Sequence, residues 1–237
     1  MYDMSGLYYY YDIGSYLIFV VPAIILSVIA QVMVSNAFNK YSRVLSRRAI
    51  TGGDAARMIL SDAGIRDVSL KPITGDLTDH YDPSNRIIAL SQNVYHSTSI
   101  AAIGVAAHEA GHAVQHHTGY AALKLRNAII PVTKWASTLA LPLIIIGFLL
   151  NFSPIVWIGI IFFAGAVVFQ IITLPVEFNA SRRAIRCLES EGILAPDELE
   201  GAKKVLRAAA LTYVAAMLVS LMQMLRFIVL AGGRRRS

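Results

Sequence analysis

The chain of 237 residues is rich in apolar side chains, which make up 56% of it, whereas charged residues make up 15%. A mean hydropathy of +0.56 is typical of an integral membrane protein rather than of a soluble domain of this length. The single cysteine, Cys187, excludes an internal disulfide and a cysteine-based metal site. The net charge of +6 comes from Lys and Arg residues beside the apolar segments, so it indicates membrane topology and no nucleic-acid partner.

The first apolar segment, residues 15–35, reads SYLIFVVPAIILSVIAQVMVS. About 20 uncharged residues suffice to cross a hydrocarbon core of roughly 30 Å, so a transmembrane helix is predicted. The residues before it contain two aspartates and no Lys or Arg, unlike the basic start of a cleaved signal peptide. Residues 1–35 are therefore interpreted as an N-terminal segment with a retained first membrane helix.

Residues 36–128 have the composition of a small domain outside the membrane. The stretch TGGDAARMILSDAGI predicts a helix with Thr51 and Asp54 as candidates for its N-terminal cap and Gly64 at its C-terminal cap. DVSLKPI and NRIIALS predict two strands, and the turn-forming residues between them predict a connecting loop. Either Ser97 or Ser99 is predicted to cap the following helix, IAAIGVAAHEAGHAVQHH.

Apolar residues return after this domain and predict a transmembrane helical hairpin over residues 129–175. Residues 176–207 are polar with helical patterning, which predicts helices outside the membrane. Residues 208–237 form a last apolar helix with a basic tail, GGRRRS. The predicted fold class is α+β and mainly helical: a domain with a short β-sheet, threaded between three or four transmembrane helices.

Basic residues are distributed unevenly between the polar segments. The N-terminal segment has none before its apolar run, residues 36–134 contain eleven and residues 176–207 contain six. By the positive-inside rule, both blocks are predicted to be cytoplasmic and the N-terminus to lie outside. A fourth full crossing would place the basic C-terminus outside, and Arg226 lies within the last apolar run. Either the rule is overridden there, or the last helix spans only part of the membrane.

The stretch AAHEAGHAVQHHT contains four of the six histidines of the chain. His108, Glu109 and His112 form a His-Glu-x-x-His sequence, in which residues four apart lie on one helical face and can bind one ion. Two imidazoles suit one zinc ion per chain, with a coordination position left for water. Zinc lowers the pKa of that water to about 7, and Glu109 is predicted to take its proton. Gln115 and Thr118 stand where a metzincin has Gly and His, which excludes that subclass.

The third zinc ligand must lie outside this stretch. His116 continues the same face, but at about 1.5 Å per residue it lies roughly 12 Å from His108 along the axis, too far to share an ion. His117 is likewise interpreted as a residue without a metal role. Glu177 follows an apolar crossing whose end is predicted on the same side as the histidine helix, and it is the leading candidate. The other carboxylates and the histidines outside the stretch are alternatives.

Three stretches together resemble one family. LTDHYDPSNRIIALSQNVYHSTSIAAIGVAAHEAGHAVQHHTGY, LPVEFNASRRA and AALTYVAA are similar, in sequence and spacing, to the YugP-type bacterial membrane zinc metallopeptidases. The likeness extends distantly to the Ste24 and HtpX type, gluzincins with two histidines and a later glutamate as ligands. The resemblance implies that His108, His112 and Glu177 hold zinc and that Glu109 is the general base. The distant relatives have an aspartate where this chain has Ser181, which is left as a candidate for orienting a ligand.

Three further residues are candidates for stabilising the transition state. His80 and Tyr81 in TDHYDP, and Tyr213 in ALTYVAA, could donate a hydrogen bond to the tetrahedral intermediate. Packing or turn roles are the alternatives. NRIIALS could be the edge strand that holds a peptide substrate by strand addition, or a strand with a structural role alone.

The sequence thus predicts a membrane-bound zinc-dependent metalloendopeptidase. Its zincin-like catalytic domain would be cytoplasmic, and its polypeptide substrate would lie in or near the lipid bilayer. An intramembrane protease of the site-2 type is one alternative, although the apolar run before His108 is too short to span and no apolar crossing contains an Asp. A non-catalytic, zinc-containing membrane scaffold or chaperone partner is another. A zinc transporter is disfavoured because the candidate ligands lie outside the crossings.

Overall fold

The computed structural model describes residues 13–75 and 78–233, so the basic end of the predicted C-terminal tail lies outside the described residues. The fold is mainly helical with one small sheet, as predicted. The sheet has three strands rather than the two predicted, because the stretch predicted as a connecting loop contains a short third strand. The helices are α1 (Val21–Tyr41, after a π-helical turn at Tyr16–Val20), α2 (Gly52–Asp62), α3 (Gln92–Tyr95), α4 (Ile100–His117), α5 (Ala121–Leu149), α6 (Ser153–Ser190) and α7 (Pro196–Gly233). The strands are β1 (Ser69–Ile73), β2 (His80–Asp82) and β3 (Ile87–Ser91).

Four helical segments of the described chain are long and apolar enough to cross a membrane. They are Ile13–Tyr41, Ala121–Leu149, Ser153–Ser190 and Pro196–Gly233. Each contains one of the apolar runs of the sequence and extends beyond it into polar residues. The predicted segment boundaries at 175/176 and 207/208 fall inside α6 and α7, because a change of composition does not interrupt the backbone hydrogen bonds of a helix.

The chain forms two compact units. The sheet unit comprises the described parts of residues 31–124 and 174–211. The helical unit comprises the described parts of residues 1–30, 125–173 and 212–237.

The helices of the sheet unit begin where side chains can cap them. Thr51 accepts a hydrogen bond from the backbone N–H of Asp54 at the start of α2, and Ser99 accepts one from Ala102 at the start of α4. These caps satisfy backbone donors that the first helical turn leaves unpaired. Both predicted helix starts are confirmed: Thr51 rather than Asp54 caps α2, and Ser99 rather than Ser97 caps α4.

The core of the sheet unit surrounds α4. Its side chains come from α2, β3, α4, α6 and α7. The largest wholly buried ones include Ile59, Ile88, Leu90, Ile103 and Leu188. Burial of each such side chain stabilises the fold by about 1.5–3 kcal/mol. The close packing around α4 therefore holds this helix firmly in place.

Strand β3 lies in the centre of the sheet, which has the order β1-β3-β2. It pairs in parallel with β1 and antiparallel with β2. The prediction that NRIIALS is an edge strand open to a substrate is therefore wrong, because both of its edges are paired. Strand β2 has only three residues, too few to show an alternating pattern in the sequence.

A tight turn folds β2 back onto β3. The Asp82 carboxylate accepts hydrogen bonds from the backbone N–H groups of Ser84 and Asn85. Next to β2, the Asp79 carboxylate accepts from the backbone N–H of Ser91, at the end of β3. These acidic side chains hold the hairpin that occupies the edge of β3.

The helical unit pairs several of its polar side chains. Gln170 Nε2 donates to Ser220 Oγ at 2.9 Å. The Arg226 guanidinium lies 5.2 Å from the ring centroid of Tyr16 and 5.9 Å from that of Phe227. These cation–π contacts give the charge of Arg226 a favourable environment within the apolar C-terminal part of α7.

Candidate metal centre

The His-Glu-x-x-His sequence lies in the middle of α4. His108 and His112 are one turn apart, with ring centroids separated by 4.7 Å. Small side chains on α4, such as Ala106, Ala107 and Ala110, are wholly buried, which lets neighbouring elements pack closely against the helix. His112 is buried as well, whereas His108 is partly exposed. The two imidazoles thus share one face of a well-supported helix, as the spacing predicts.

Glu177 on α6 reaches both imidazoles. Its Oε2 lies 3.3 Å from Nε2 of His108 and 3.6 Å from Nε2 of His112, and the residue is 3% exposed. Two ligands that are about 2.0–2.2 Å from a tetrahedral zinc ion lie roughly 3.3–3.6 Å apart. Within the described part of the chain, these three residues form the one group of His, Cys, Asp or Glu side chains that could hold a metal. The donor set and its spacing fit zinc.

The outer nitrogen of each imidazole has a polar partner. His108 Nδ1 lies 3.1 Å from Ser181 Oγ, and His112 Nδ1 lies 3.0 Å from Gln115 Oε1. With Nδ1 engaged in this way, the Nε2 atoms of both rings face Glu177. Ser181, which the sequence analysis left as a candidate for orienting a ligand, therefore contacts the predicted ligand His108. This arrangement, in which the second ring nitrogen is held by a hydrogen bond, is typical of metal-binding histidines.

Electrostatics favour a positive charge at this group. Burial alone would lower the pKa of His112, but the hydrogen bond with Glu177 and the charges of Glu109 and Glu177 outweigh it and raise this pKa. Two carboxylates thus surround the histidines with negative potential. A divalent cation would be stabilised by the same charges.

Glu109 lies beside His108 and is 9% exposed. No hydrogen bond found in the described part of the chain involves its carboxylate. Its charge nevertheless acts on His112. A carboxylate without a hydrogen-bond partner, next to residues that could hold a metal, is what a general base requires.

The glycine inside the motif allows α4 and α6 to approach closely. A Cβ on Gly111 would lie 2.6 Å from the carbonyl oxygen of Ala180, closer than real contacts of this kind. Ala180 lies one turn after Glu177 on α6. Gly111 therefore permits the short distance at which Glu177 reaches the histidines.

Replacing Gly111 by alanine is expected to destabilise the protein by about 1–3 kcal/mol, because backbone must shift to relieve the overlap. The matched control is Gly104→Ala on the same helix, where the added Cβ would meet only ordinary contacts at 3.5 Å with Ala202. The control is expected to be neutral, or to gain up to about 1 kcal/mol from helix propensity. Thermal unfolding of both zinc-free variants measures the difference. Equal unfolding temperatures would show that the close approach is unimportant.

The remaining predicted site residues lie outside the group of three. His80 is exposed on β2, and its Nδ1 donates to the carbonyl of Thr78 at 2.7 Å. Tyr81 is half-buried, with its hydroxyl 2.7 Å from His116 Nδ1, and burial together with the charge of Asp82 raises the pKa of Tyr81. Its phenol therefore keeps its proton at neutral pH and can act as a donor.

Tyr213 is an exposed residue of α7, in the helical unit. The roles proposed for His80, Tyr81 and Tyr213 in the transition state stay predictions. His116 contacts Tyr81, and His117 is exposed; neither belongs to the group of three.

Sequence reasoning missed Gln115, which it used only to exclude the metzincin pattern. Gln115 is wholly buried and contacts His112 from the next helical turn. Its position, three residues after His112, could have been recognised, since side chains three apart are neighbours on a helix.

Comparison with known proteins agrees with this geometry. Residues 16–232 match the model of a family described as "Putative neutral zinc metallopeptidase". The chain belongs to this family. It is also 50% identical, over 210 residues, to "Putative membrane protease YugP" of Bacillus subtilis (strain 168), an alignment that covers 89% of this chain and 93% of that relative. No solved structure matches the chain.

The family assignment confirms the resemblance seen in the sequence. The similarity to a putative membrane protease, together with the four apolar helices of this chain, indicates that this protein is a membrane protein.

Proposed function

We propose that the protein is a membrane-bound zinc metalloendopeptidase of the gluzincin type. His108, His112 and Glu177 would hold one zinc ion, and Glu109 would be the general base. The observation that carries the proposal is the convergence of two Nε2 atoms on one carboxylate oxygen, at 3.3 and 3.6 Å, the separation expected between two ligands of a tetrahedral zinc ion.

The residues around this group suit peptide-bond hydrolysis. Zinc, when bound, would supply Lewis-acid activation of a water molecule and of the peptide carbonyl. The Glu109 carboxylate would accept the proton of the attacking water and deliver it to the leaving amine. Ser181 and Gln115 would hold the imidazole rings in the orientation needed for binding. The Glu109 carboxylate has no competing hydrogen bond in the described part of the chain, and both imidazole rings are already held in place by hydrogen bonds.

The site-2 type of intramembrane protease fits less well. Helix α4 has 18 residues and is absent from the candidate membrane spans of the described chain. The third side chain of the group is a glutamate, whereas the site-2 type takes an aspartate from an apolar segment. A peptidase domain outside the hydrocarbon core is the better interpretation.

The sheet unit is proposed to face the cytoplasm, because the basic residues cluster in its segments. Single cysteines introduced into a Cys187→Ser background would test this orientation. Asn151→Cys, in the turn between α5 and α6, should react with a membrane-impermeant thiol reagent in intact cells. Ser190→Cys, at the exposed end of α6, should react only after the membrane is opened. The reverse labelling pattern would show that the sheet unit faces the outside of the cell.

The substrate is proposed to be a polypeptide in or near the membrane. The test is quantitative proteomics of membranes that contain either the wild type or Glu109→Gln. Full-length substrates should accumulate with the variant and should be recovered in complex with it. Identical membrane proteomes, with no captured protein, would contradict the proposed function.

A further inference from the structure

Gln115 is a wholly buried polar side chain whose amide is fully engaged. Its Oε1 lies 3.0 Å from His112 Nδ1. Its Nε2 donates to the backbone carbonyl of Val176 at 2.8 Å and to Asn179 Oδ1 at 3.0 Å. One amide therefore connects a predicted ligand on α4 with the turn of α6 that contains Glu177.

The orientation of this amide is dictated by its partners. A backbone carbonyl can only accept hydrogen bonds, so the NH₂ group of Gln115 must face Val176. The amide oxygen must then face His112, and an oxygen can only accept from Nδ1. His112 is therefore required to carry a proton on Nδ1, which leaves the lone pair of Nε2 for a metal ion.

Asn179 reinforces this orientation. Its Oδ1 accepts from Gln115 Nε2 and also from Arg183 Nε, at 2.8 Å. A guanidinium can only donate, so the Asn179 amide cannot reverse without losing this bond. The Arg183 guanidinium in turn lies 6.0 Å from the ring centroid of Tyr120. Two groups in this network thus have fixed roles: the Val176 carbonyl can only accept a hydrogen bond, and the Arg183 guanidinium can only donate one.

We propose that Gln115 is a positioning residue for the metal centre. It fixes His112 as the Nδ1–H tautomer. Its hydrogen bond to the carbonyl of Val176, the residue before Glu177, links this tautomer to the position of Glu177. The inference rests on the proposed zinc centre and extends it to a side chain that binds no metal. Loss of such a partner typically weakens metal binding by about 10–100-fold.

Replacing Gln115 by methionine tests the inference, because methionine has a similar length and lacks the amide. Zinc affinity is measured on folded, purified protein by competition with a chelator. The expected result is a dissociation constant raised by about 10–100-fold, with full zinc occupancy restored at higher zinc concentration. Gln92→Met, at an exposed position at the start of α3, is the matched control and should keep the wild-type affinity. A wild-type zinc affinity for folded Gln115→Met would overturn the inference.

A second measurement needs no variant. Nitrogen-15 NMR of zinc-loaded wild-type protein, labelled at histidine, reports which ring nitrogen of His112 carries a proton. A protonated Nδ1 and a metal-bound Nε2 are expected, and a proton on Nε2 would overturn the inference. Both tests separate two failures: wild-type protein that binds no zinc would contradict the proposed function, whereas zinc binding without the predicted dependence or tautomer would contradict only the role of Gln115.

Discussion

Glu109→Gln is expected to remove proteolysis while zinc stays bound. Glutamine has the size of glutamate but cannot accept the proton of the attacking water. Loss of a general base costs about 10²–10⁴-fold in rate, which corresponds to roughly 3–5.5 kcal/mol of transition-state stabilisation. Cleavage is followed on a substrate recovered by the proteomic comparison, and zinc is measured per chain in the same preparation.

The control for this variant is Glu189→Gln, which changes an exposed carboxylate of α6 and should keep both activity and zinc. Retained proteolysis by Glu109→Gln would rule out the proposed base. Restoration of a normal phenotype by Glu109→Gln, in cells that lack the wild-type protein, would favour the non-catalytic scaffold or chaperone partner.

Glu177→Ala is expected to lose zinc. Glu177 is the carboxylate that lies within 3.6 Å of Nε2 in both histidines, and alanine leaves these two rings without a third protein ligand. Since loss of a mere supporting contact costs about 10–100-fold, loss of a ligand should weaken zinc binding by on the order of 100-fold or more. Chelator competition measures the change.

Glu189→Ala is the matched control, because it removes the same charge from the exposed side of the same helix. Its zinc affinity should equal that of the wild type. If Glu177→Ala also bound zinc as the wild type does, the third ligand would have to be another residue. Circular dichroism of both variants checks that the helices are intact.

Helix α4, with its two candidate zinc ligands, was largely predictable from the sequence. The spacing of His108 and His112 is a local property of a helix, so the pattern alone places both rings on one face. Thr51 and Ser99 likewise act on backbone groups of their own first turn. Glu177 is 65 residues beyond His112, and topology together with resemblance to a family was needed to single it out.

Other features depended on contacts between distant segments, which no local pattern specifies. The three residues of β2 form a strand because they meet β3, and their own sequence has no strand period. The contact of Gln115 with His112 could have been recognised from their spacing, but the orientation of its amide depends on the distant Val176 carbonyl and Asn179. The close approach at Gly111 likewise depends on where α6 passes.

X-ray absorption at the zinc edge of the purified protein tests the central claim most directly. The account predicts about one zinc per chain, with two imidazole nitrogens at about 2.0–2.1 Å and carboxylate or water oxygens at about 2.0–2.2 Å completing the coordination. A sulfur ligand at about 2.3 Å, fewer than two imidazoles, or no zinc at all would contradict it.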